Sequence, residues 1–578
     1  MTAPSAPSAD AFVRDAESEL LELAKSMQQA DWVYNTYITP DTEAMSARAT
    51  AAFIQATVVA AKRGRAYAGE LLSEPTRRKL ALLPLSLPMI APSDPKGAEE
   101  LTTLVAAMTG TYGRGKYAPK GTATPLDVQG LGRILAEQKD PALLLDVWRG
   151  WHDIGRTMRR PFERYVALAN AGAKELDFAD TGAMWRSKYD MPAEAFRLEV
   201  ERLWEQVRPL YQSLHAYVRW RLVDELGPAV VPPTGPVPAH LLGNMWAQSW
   251  EYLVDRLLPA RGGGAPDVTR ALRAHRVDQA EMVRYGERFF VSLGLPALPA
   301  TFWERSMFTK PADREVICHA SAWDLDLVDD LRIKMCIEIT GEDFQTIHHE
   351  LGHNYYQRAY AGQPFLFRDG AHDGFHEAIG DAIALSVTPE YLRTVGLVDQ
   401  VPGPEADLRL LLGMALEKIA FLPFGLAIDQ WRWRVFSGEI DPSTYNASWW
   451  ETRRKLQGIA PGLVRDESEF DPGAKFHVPA NVPYMRYFLA HILQFQFHRA
   501  FVRAAGGSGP LHRSSIYGSR PAGDRLRAML EMGQSRPWPD ALEAATGERR
   551  MDASALLEYF DPLRRWLDEQ NRGHPVGW

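Results

Sequence analysis

Apolar residues recur with the spacing of an α-helix over most of this 578-residue chain. Repeats of three and four residues place apolar side chains on one helix face, where they can pack into a core. Strict alternation, which is typical of a half-buried strand, is confined mainly to 315–340. The pattern therefore predicts a mainly α protein with one small β element. Helices are predicted over 12–29, 43–74, 97–113, 141–172, 193–225, 267–293, 405–436, 484–504 and 552–571.

The β element is predicted to be a hairpin in which 315–323 folds back on 331–340, with 324–330 as the turn. Alternation places five apolar residues on one face of the second strand: Leu331, Ile333, Met335, Ile337 and Ile339. The pairing brings Cys318 opposite Cys336, and the chain has no other cysteine. A disulfide is geometrically reasonable there, but the spacing alone fits two unpaired core thiols equally well.

The segment after this hairpin carries the most specific chemical motif of the chain. Residues 346–353 read Thr-Ile-His-His-Glu-Leu-Gly-His and contain His-Glu-x-x-His. On an α-helix, His349 and His353 lie on one face about one turn apart, so both imidazoles can bind one metal ion. Glu350 lies beside the first histidine, where its carboxylate can act as a general base on a metal-bound water. This is the arrangement of zinc peptidases.

The residues before the motif predict that its helix follows a strand. Thr340 can cap the helix, with Asp343 three residues later in an acidic variant of the capping box. Glu342 and Asp343 also suit the positive end of the helix dipole. A chance occurrence of His-Glu-x-x-His is the alternative, and this context argues against it.

A catalytic zinc ion needs a third protein ligand, and the spacing indicates where it lies. The metzincin pattern is excluded because Tyr356 and Ala359 stand where that class has glycine and histidine. Glu377 and Asp381 follow one helical turn apart, and they predict an oxygen ligand and a partner that orients a zinc histidine. The alternative is a solvated acidic helix face. Buried carboxylates need a partner, and the neighbouring residues are too apolar for a surface helix: Phe375, Ala378, Ile379, Ala382, Ile383, Ala384 and Leu385.

Composition and charge are those of a globular protein, since 46% of residues are hydrophobic and 24% are charged. The net charge of −8, without a basic cluster, argues against nucleic acid or an anionic membrane as a partner. No apolar run is expected to span a membrane. Residues 1–11 lack the regions of a signal peptide and are predicted to be a disordered leader, with a mature end carrying an added Met as the alternative. No linker divides the rest, so one domain is expected over 12–578, with Pro/Gly-rich loops at 225–237 and 259–266.

Ten stretches carry a resemblance that runs over nearly the whole chain, more loosely at its start: LHAYVR (214–219), PAHLLGNMWAQ (238–248), SLGLP (292–296), REVICHASAWD (314–324), HHELGH (348–353), GFHEAIGDAIALSV (374–387), IAFLPFG (419–425), DPGAKFHVP (471–479), VPYMRYF (482–488) and QFQFH (494–498). Through them the chain resembles the angiotensin-converting enzyme family of zinc peptidyl-dipeptidases, as one catalytic domain. The resemblance implies a helical ellipsoid of two halves around a deep channel, with zinc near the middle. Residues 12–74 would form a helical lid.

The resemblance also implies catalytic roles for individual residues. Glu350 would deprotonate the zinc water and later protonate the leaving amine. His477 and Tyr487 would stabilise the oxyanion, a task for hydrogen-bond donors that are fixed before charge develops. Without the resemblance, both would be interpreted as core residues. The implied zinc ligands agree with those predicted from spacing, namely His349, His353 and Glu377, with Asp381 behind them.

Further positions match residues that bind the substrate peptide in the family. His319 and His477 would donate to carbonyl groups of the last substrate residues, and the backbone at Ala320 and Ala322 would add a strand-like contact. One cation and two neutral donors suit the carboxylate of a short peptide with a free C-terminus. That trio is Gln248, Lys475 and Tyr484.

The residue at 248 separates two activities within the resemblance. A related carboxypeptidase branch has arginine there, in a Met-Trp-Gly-Arg context, and removes one residue at a time. This chain reads Met-Trp-Ala-Gln at 245–248, and His-Ala-Ser-Ala-Trp at 319–323 also follows the dipeptidase branch. Release of C-terminal dipeptides is therefore expected. A one-residue carboxypeptidase, a catalytically dead binding module and a more distant helical oligopeptidase are the alternatives.

Family members bind activating chloride at two places. Tyr189 and Arg486 match the place nearer the zinc, and Trp449 and Arg453 match the second. An arginine expected at the second place is His152, whose neutral form would weaken anion binding. One working chloride site and a weakened second are expected.

Three residues depart from the family in the pocket for the last substrate side chain. His491 stands where a phenylalanine is usual, and Gln345 and Thr346 lie in the same region. The family's side-chain preferences therefore do not transfer to this chain.

The resemblance implies that Cys318 and Cys336 form a disulfide, which favours the periplasm or the exterior. The lack of a signal peptide argues for the cytoplasm instead, unless a leader has been removed. A monomer or weak dimer is expected.

Overall fold

The computed structural model describes residues 8–258 and 267–578, and the chain is mainly α-helical, as predicted. Part of the predicted leader and the loop at 259–266 lie outside the described residues. Helix α1 already begins at Ala9, where the Ser8 side chain accepts a hydrogen bond from the Ala11 amide. The prediction of a disordered segment up to residue 11 is therefore wrong for residues 9–11.

The helices of the described residues are numbered in chain order. They are α1 Ala9–Thr36, α2 Pro40–Gly64, α3 Glu74–Leu82, α4 Pro95–Gly113, α5 Val128–Glu137, α6 Pro141–His152, α7 Arg159–Glu175, α8 Thr181–Ser187, α9 Ala193–Leu226, α10 Val254–Leu257, α11 Val268–Ala274, α12 Gln279–Ser292, α13 Ala300–Arg305, α14 Gly341–Tyr360, α15 Asp373–Ala384, α16 Pro389–Thr394, α17 Asp407–Met414, α18 Ala420–Phe436, α19 Tyr445–Gln457, α20 Met485–Ala504, α21 Arg520–Leu530, α22 Trp538–Thr546, α23 Ser554–Tyr559 and α24 Asp561–Gln570.

Several predicted helices are shorter or divided. The prediction over 43–74 ends as an α-helix at Gly64, and that over 141–172 is split by the 3₁₀ segment Asp153–Met158. The break within 267–293 lies at Arg276, whose φ of 55° cannot continue a right-handed helix. In contrast, 405–436 stays helical through the π segment Ala415–Ile419, which directly precedes the helix that contains Pro423.

Four short strands form two small sheets in the described residues. They are β1 Val237–Pro238 and β4 Ile459–Ala460, which pair in parallel, and β2 Ser321–Asp324 and β3 Leu331–Lys334, which form the predicted antiparallel hairpin. β3 is shorter than predicted because beyond Lys334 the chain bonds to another segment: the Met335 amide donates to Met307 at 2.8 Å and the Ile337 amide to Phe308 at 3.0 Å. The disulfide between Cys318 and Cys336 is confirmed, with Cα atoms 5.0 Å apart.

Helices α1 and α2 pack against each other, and the end of α1 is fastened to the segment before β2. The Ile38 amide donates to Glu315 and the Ile317 amide to Asn35, each at 2.9 Å. The Trp32 and Trp323 rings meet edge to face, with centroids 5.7 Å apart. These contacts place the predicted lid beside the hairpin, and its movement stays a prediction.

Two helical segments of the described residues are long and apolar enough to pass a length-and-composition test for a membrane span. In Pro404–Phe436, 78% of the apolar window is buried inside the protein, as in a core helix. In Pro40–Tyr67 the buried share is 17%. The test alone is weak because core helices of soluble proteins also pass it.

Candidate active site

The motif helix α14 begins as predicted at a threonine cap. The Thr340 hydroxyl accepts a hydrogen bond from the Asp343 amide at 3.1 Å. The Asp343 carboxylate instead accepts from the Glu338 amide at 2.6 Å, so only half of a capping box forms. The cap fixes where the helix starts, and hence which face carries the motif.

Two glycines let α14 and α15 cross closely enough to share a metal. A Cβ on Gly352 would lie 2.9 Å from the Gly380 Cα, and one on Gly380 would lie 2.7 Å from His349 Nδ1. Any side chain at this crossing would separate the two helices. The contact brings the carboxylates of α15 to the histidines of α14.

The predicted metal ligands converge at this crossing. His349 Nε2 lies 3.0 Å from His353 Nε2 and 3.8 Å from a Glu377 carboxylate oxygen. One ligand atom from each residue falls within 4.8 Å of the others. Two imidazole nitrogens and one carboxylate oxygen are a donor set that zinc takes in catalytic sites. The residues present therefore fit a zinc ion.

Hydrogen bonds behind the ligands leave the Nε2 atoms of both histidines for a metal. His349 Nδ1 donates to the Asp381 carboxylate at 3.2 Å, as predicted, and Gln494 donates to its other oxygen at 3.0 Å. Although burial opposes a charge on His349, the bond to Asp381 and the nearby carboxylates raise its pKa to about 9. In the absence of a metal, a proton therefore competes for this ligand.

The second histidine has a partner that the sequence did not reveal. His353 Nδ1 lies 3.1 Å from His376 Nδ1, and His376 Nε2 lies 3.2 Å from the Tyr360 hydroxyl. If Nε2 of His353 binds a metal, its Nδ1–H donates to His376. The position of His376 directly before Glu377 is the one sequence feature that could have pointed to this chain of bonds.

Glu350 is buried beside the metal ligands, where a general base is expected. Burial raises the pKa of its carboxyl, and the backbone of Ala322 hydrogen-bonds to it. Glu350 and His349 line a cavity of about 860 Å³ together with His319, Ala320 and the disulfide. A base with a raised pKa is suited to accept a proton near neutral pH.

The outer edge of β2 faces this site. Ala322 pairs with Ile333, whose backbone amide and carbonyl bond on the far side to Ser306 and Met307. Ala322 therefore directs its own polar groups away from β3, toward Glu350. His319 and Ala320 precede this edge, and the His319 ring bonds to the Ala320 carbonyl at 2.8 Å. Among the described residues, β3 is the one strand paired with β2, so an extended peptide could pair with the outer edge of β2.

Three aromatic side chains from 477–487 form one cluster. His477 lies 4.7 Å from Tyr484 and 5.8 Å from Tyr487, between ring centroids. Burial, with nearby positive charges, keeps the pKa of His477 far below its usual value. His477 Nδ1 has no partner among the described residues. A neutral imidazole with an unused nitrogen and a tyrosine hydroxyl are donors of the predicted kind.

A buried ion pair that the sequence analysis missed holds this loop in place. Asp429 accepts from the amides of Tyr484 and Met485 at 2.8 and 2.7 Å, which caps α20. Arg432, paired with Asp429, donates to the carbonyl groups of His477 and Val482. Nothing in the residue spacing marks this pair as part of the site.

The predicted carboxylate-binding trio also comes together. Lys475 Nζ donates to the Gln248 side chain at 2.6 Å and lies 5.5 Å from the Tyr484 ring centroid. Burial and the charge of Arg453 lower the pKa of Lys475 to about 7. Among the described residues no carboxylate pairs with this ammonium, whose hydrogen-bond partner is the neutral Gln248 side chain, so a substrate carboxylate could supply the missing anion.

The two predicted chloride pairs differ in what surrounds them. Arg453 donates to the Trp246 carbonyl at 2.5 Å and faces the Trp449 ring at 5.2 Å. His152 is buried, which lowers its pKa to about 4, so it adds no charge there. At the other pair, Tyr189 and Arg486 both contact the carboxylate of Asp373. A chloride fits poorly beside a carboxylate, since like charges repel.

The structure shows the surroundings of the three residues that depart from the family, and their place in a pocket for the last substrate side chain stays a prediction. His491 stacks on Phe421 with centroids 4.3 Å apart, and its Nδ1 bonds to the Tyr487 carbonyl at 2.8 Å. Gln345 and Thr346 line the same cavity as Glu350. The side chains of Gln345 and Thr346 give this part of the cavity groups that can form hydrogen bonds.

Substituting Gly380→Ala is expected to weaken zinc binding by about 10–100-fold, because the new Cβ displaces the His349 ring from Asp381. Competition titration with a chromogenic chelator measures this. Gly132→Ala on α5, where the Cβ meets nothing within 4 Å, is the matched control and should leave affinity unchanged. Equal affinities for the two variants would show that the close crossing does not set the ligand geometry.

Comparison with known proteins gives one consistent result. The family model described as "Angiotensin-converting enzyme" (Peptidase_M2) matches residues 3–578. Angiotensin-converting enzyme of Bos taurus is 48% identical over 489 residues, which are 83% of this chain and 37% of that protein. The protein of the same name from Rattus norvegicus is 44% identical over 560 residues, 95% of this chain and 42% of that protein.

A relative from Theromyzon tessulatum, also named angiotensin-converting enzyme, is 41% identical over 553 residues, 94% of this chain and 89% of that protein. This chain thus spans about two fifths of the length of the two mammalian relatives and most of the length of this one. The matched span covers the His-Glu-x-x-His helix and every residue assigned to the site. The chain belongs to the angiotensin-converting enzyme family of zinc metallopeptidases.

Proposed function

We propose that this protein is a zinc-dependent peptidyl-dipeptidase, which releases C-terminal dipeptides from short peptides with a free carboxylate. The observation that carries this proposal is the partly buried hydrogen bond between Lys475 and Gln248, which the chain combines with a complete set of metal ligands. An arginine in place of Gln248 would favour removal of single residues. The complete ligand set, with Glu350 retained, argues against a catalytically dead binding module.

Zinc held by His349, His353 and Glu377 would supply a Lewis acid that polarises the scissile carbonyl and makes water more acidic. Glu350 then accepts the proton of the attacking water and passes it to the leaving amine. His477 and Tyr487 donate hydrogen bonds to the oxygen on which negative charge develops. The outer edge of β2 aligns the peptide backbone, and the Lys475 trio fixes its end.

We also propose a domain organisation, a location and a role for chloride. One domain spans 12–578, with 12–74 as its lid, and the protein acts as a monomer or weak dimer. The disulfide supports a periplasmic or secreted location, with the cytoplasm as the alternative. Chloride is at most a weak activator at Trp449 and Arg453, because the Arg453 guanidinium already donates to the Trp246 carbonyl and the Gln457 side chain and the neutral His152 adds no charge.

Blocking the substrate carboxylate tests the role of the Lys475 trio. A decapeptide and its C-terminal amide differ only in that charge, and we expect kcat/KM for the amide to be about 100-fold lower. Product release is followed by chromatography, and hydrolysis of an internally quenched, longer peptide serves as the control for zinc loading. Equal rates for acid and amide would contradict the exopeptidase proposal.

The pH dependence of KM tests Lys475 more directly. Because the pKa of Lys475 is lowered to about 7, its ammonium is lost as pH rises through that value. KM for the free acid should therefore rise from about pH 6 to about pH 9, by up to tenfold per unit above pH 7. Lys475→Arg keeps its charge and should flatten the profile. A flat wild-type profile would show that Lys475 remains charged or does not bind the carboxylate.

A further inference from the structure

Three polar side chains surround the carboxylate of Asp373, close to the proposed active site. The Tyr189 hydroxyl donates to one oxygen at 3.0 Å. Arg486 and Lys188 face the other oxygen at 3.4 and 3.8 Å. The Asp373 side chain is 8% exposed, so these groups replace most of its water. The carboxylate is therefore the anion on which two cations and a hydroxyl converge.

The position of Asp373 links two helices that carry the site. It is the first residue of α15, four residues before Glu377, where the helix dipole favours a negative charge. Arg486 lies in the first turn of α20, directly before Tyr487. The helices are in close contact here, since a Cβ on Gly374 would lie 3.2 Å from the Arg486 carbonyl oxygen. The Asp373–Arg486 pair thus joins the metal-ligand helix to the helix of the oxyanion donor.

The charges of the cluster favour the ionised carboxylate. Burial alone would raise the pKa of Asp373, but Arg486 and Lys188 outweigh it and lower that pKa. The adjacent His372 is buried and stays neutral, with its pKa lowered to about 4. Asp429 borders the same cavity of about 180 Å³ but is paired with Arg432. A mobile anion entering this place would meet a carboxylate that already balances one of the two cations.

We infer that Asp373 is a built-in anion which takes the place of a bound chloride between Tyr189 and Arg486, and that this chain does not need chloride there. The inference rests on the proposed peptidase function for its catalytic consequence. Asp373 acts as a positioning residue: it neutralises Arg486 and holds the adjacent Tyr487 toward the metal ligands. Because this carboxylate is part of the chain, the negative charge beside Arg486 is present at any salt concentration.

Removing the carboxylate should create a requirement for an added anion. Asp373→Ala leaves Arg486 and Lys188 unbalanced beside a cavity that opens toward them. We expect its kcat/KM, measured in gluconate buffer, to be at least about tenfold below wild type, mainly through kcat. Chloride or formate at constant ionic strength should restore it to within about threefold, since either ion can replace the lost charge.

Three controls separate a positioning role from a merely structural one. Asp373→Asn fills the same space without a charge, so it should lose activity and not recover with chloride or formate. Asp399→Ala removes an exposed carboxylate and should behave as wild type. The melting temperature of Asp373→Ala should rise with chloride relative to gluconate, whereas that of the wild type should not.

The outcomes decide the inference in both directions. Wild-type activity that changes by less than about twofold with chloride, together with rescue of Asp373→Ala, supports it. The inference is overturned if chloride raises kcat/KM of the wild type by more than about fivefold, or if Asp373→Ala is fully active without an added anion. Loss of activity in Asp373→Ala that no anion rescues, without a melting shift, also overturns it. If the zinc-loaded wild type released no dipeptide, the proposed function would fail, while the melting measurement would still test the anion site.

Discussion

Glu350→Gln is expected to lower kcat by about 10³–10⁴-fold while the protein keeps its zinc. Glu350 is not among the three converging metal ligands, so its substitution removes the proton acceptor but leaves the donor set intact. The amide has nearly the same shape and can keep a hydrogen bond to the Ala322 backbone. The loss should therefore fall on kcat, with little change in KM.

The controls for Glu350→Gln follow from its surroundings. Burial raises the pKa of Glu350, so the charged form is unfavourable in the fold, and the neutral amide should not lower the melting temperature. Glu342→Gln alters an exposed carboxylate of the same helix and cavity and should retain wild-type kcat. Retention of more than about a tenth of wild-type kcat by Glu350→Gln would remove Glu350 from the role of base.

Tyr487→Phe is expected to lower kcat by about 10²–10³-fold, because the hydroxyl donates to the oxyanion only as charge develops. Tyr484→Phe is the matched comparison, since the two rings adjoin at 4.9 Å but are assigned different tasks. The second variant should raise KM, through the substrate carboxylate, and leave kcat nearly unchanged. Initial-rate kinetics on one tripeptide measure both.

The opposite pattern would exchange the two assignments. If Tyr487→Phe raised only KM and Tyr484→Phe lowered only kcat, the oxyanion donor would be Tyr484. The two tyrosines are three residues apart at the start of α20, so their order along the channel is set by the helix and by the Asp429 cap. The comparison therefore also tests how this loop is held.

Local patterns were sufficient for the parts of the fold that local interactions determine. The alternation over 331–340 predicted the hairpin, and the burial of Leu331, Ile333, Met335 and Ile337 agrees with it. Its strand nevertheless ends at Lys334, because pairing with Met307 and Phe308 is a long-range contact that alternation does not encode. The same holds for helix breaks such as the one at Arg276, which depend on a single backbone conformation.

The candidate site divides in the same way. The spacing of His349 and His353 specifies two ligands because one helix fixes both. Glu377 could be proposed from its apolar neighbours, but its approach depends on the Gly352–Gly380 crossing. Asp373 was not singled out, although it lies four residues before Glu377, since its partners Tyr189 and Arg486 come from distant parts of the chain. Residues that act through such contacts need the folded structure to be recognised.

The measurement that tests the central claim most directly is mass spectrometry of the products from an unblocked decapeptide, with zinc, with a chelator, and with zinc restored. We predict stepwise release of C-terminal dipeptides that stops on chelation and resumes with zinc. Release of single residues would contradict the assignment of Gln248 and move the protein to the carboxypeptidase branch. An uncut peptide with zinc-loaded protein would contradict the peptidase proposal itself.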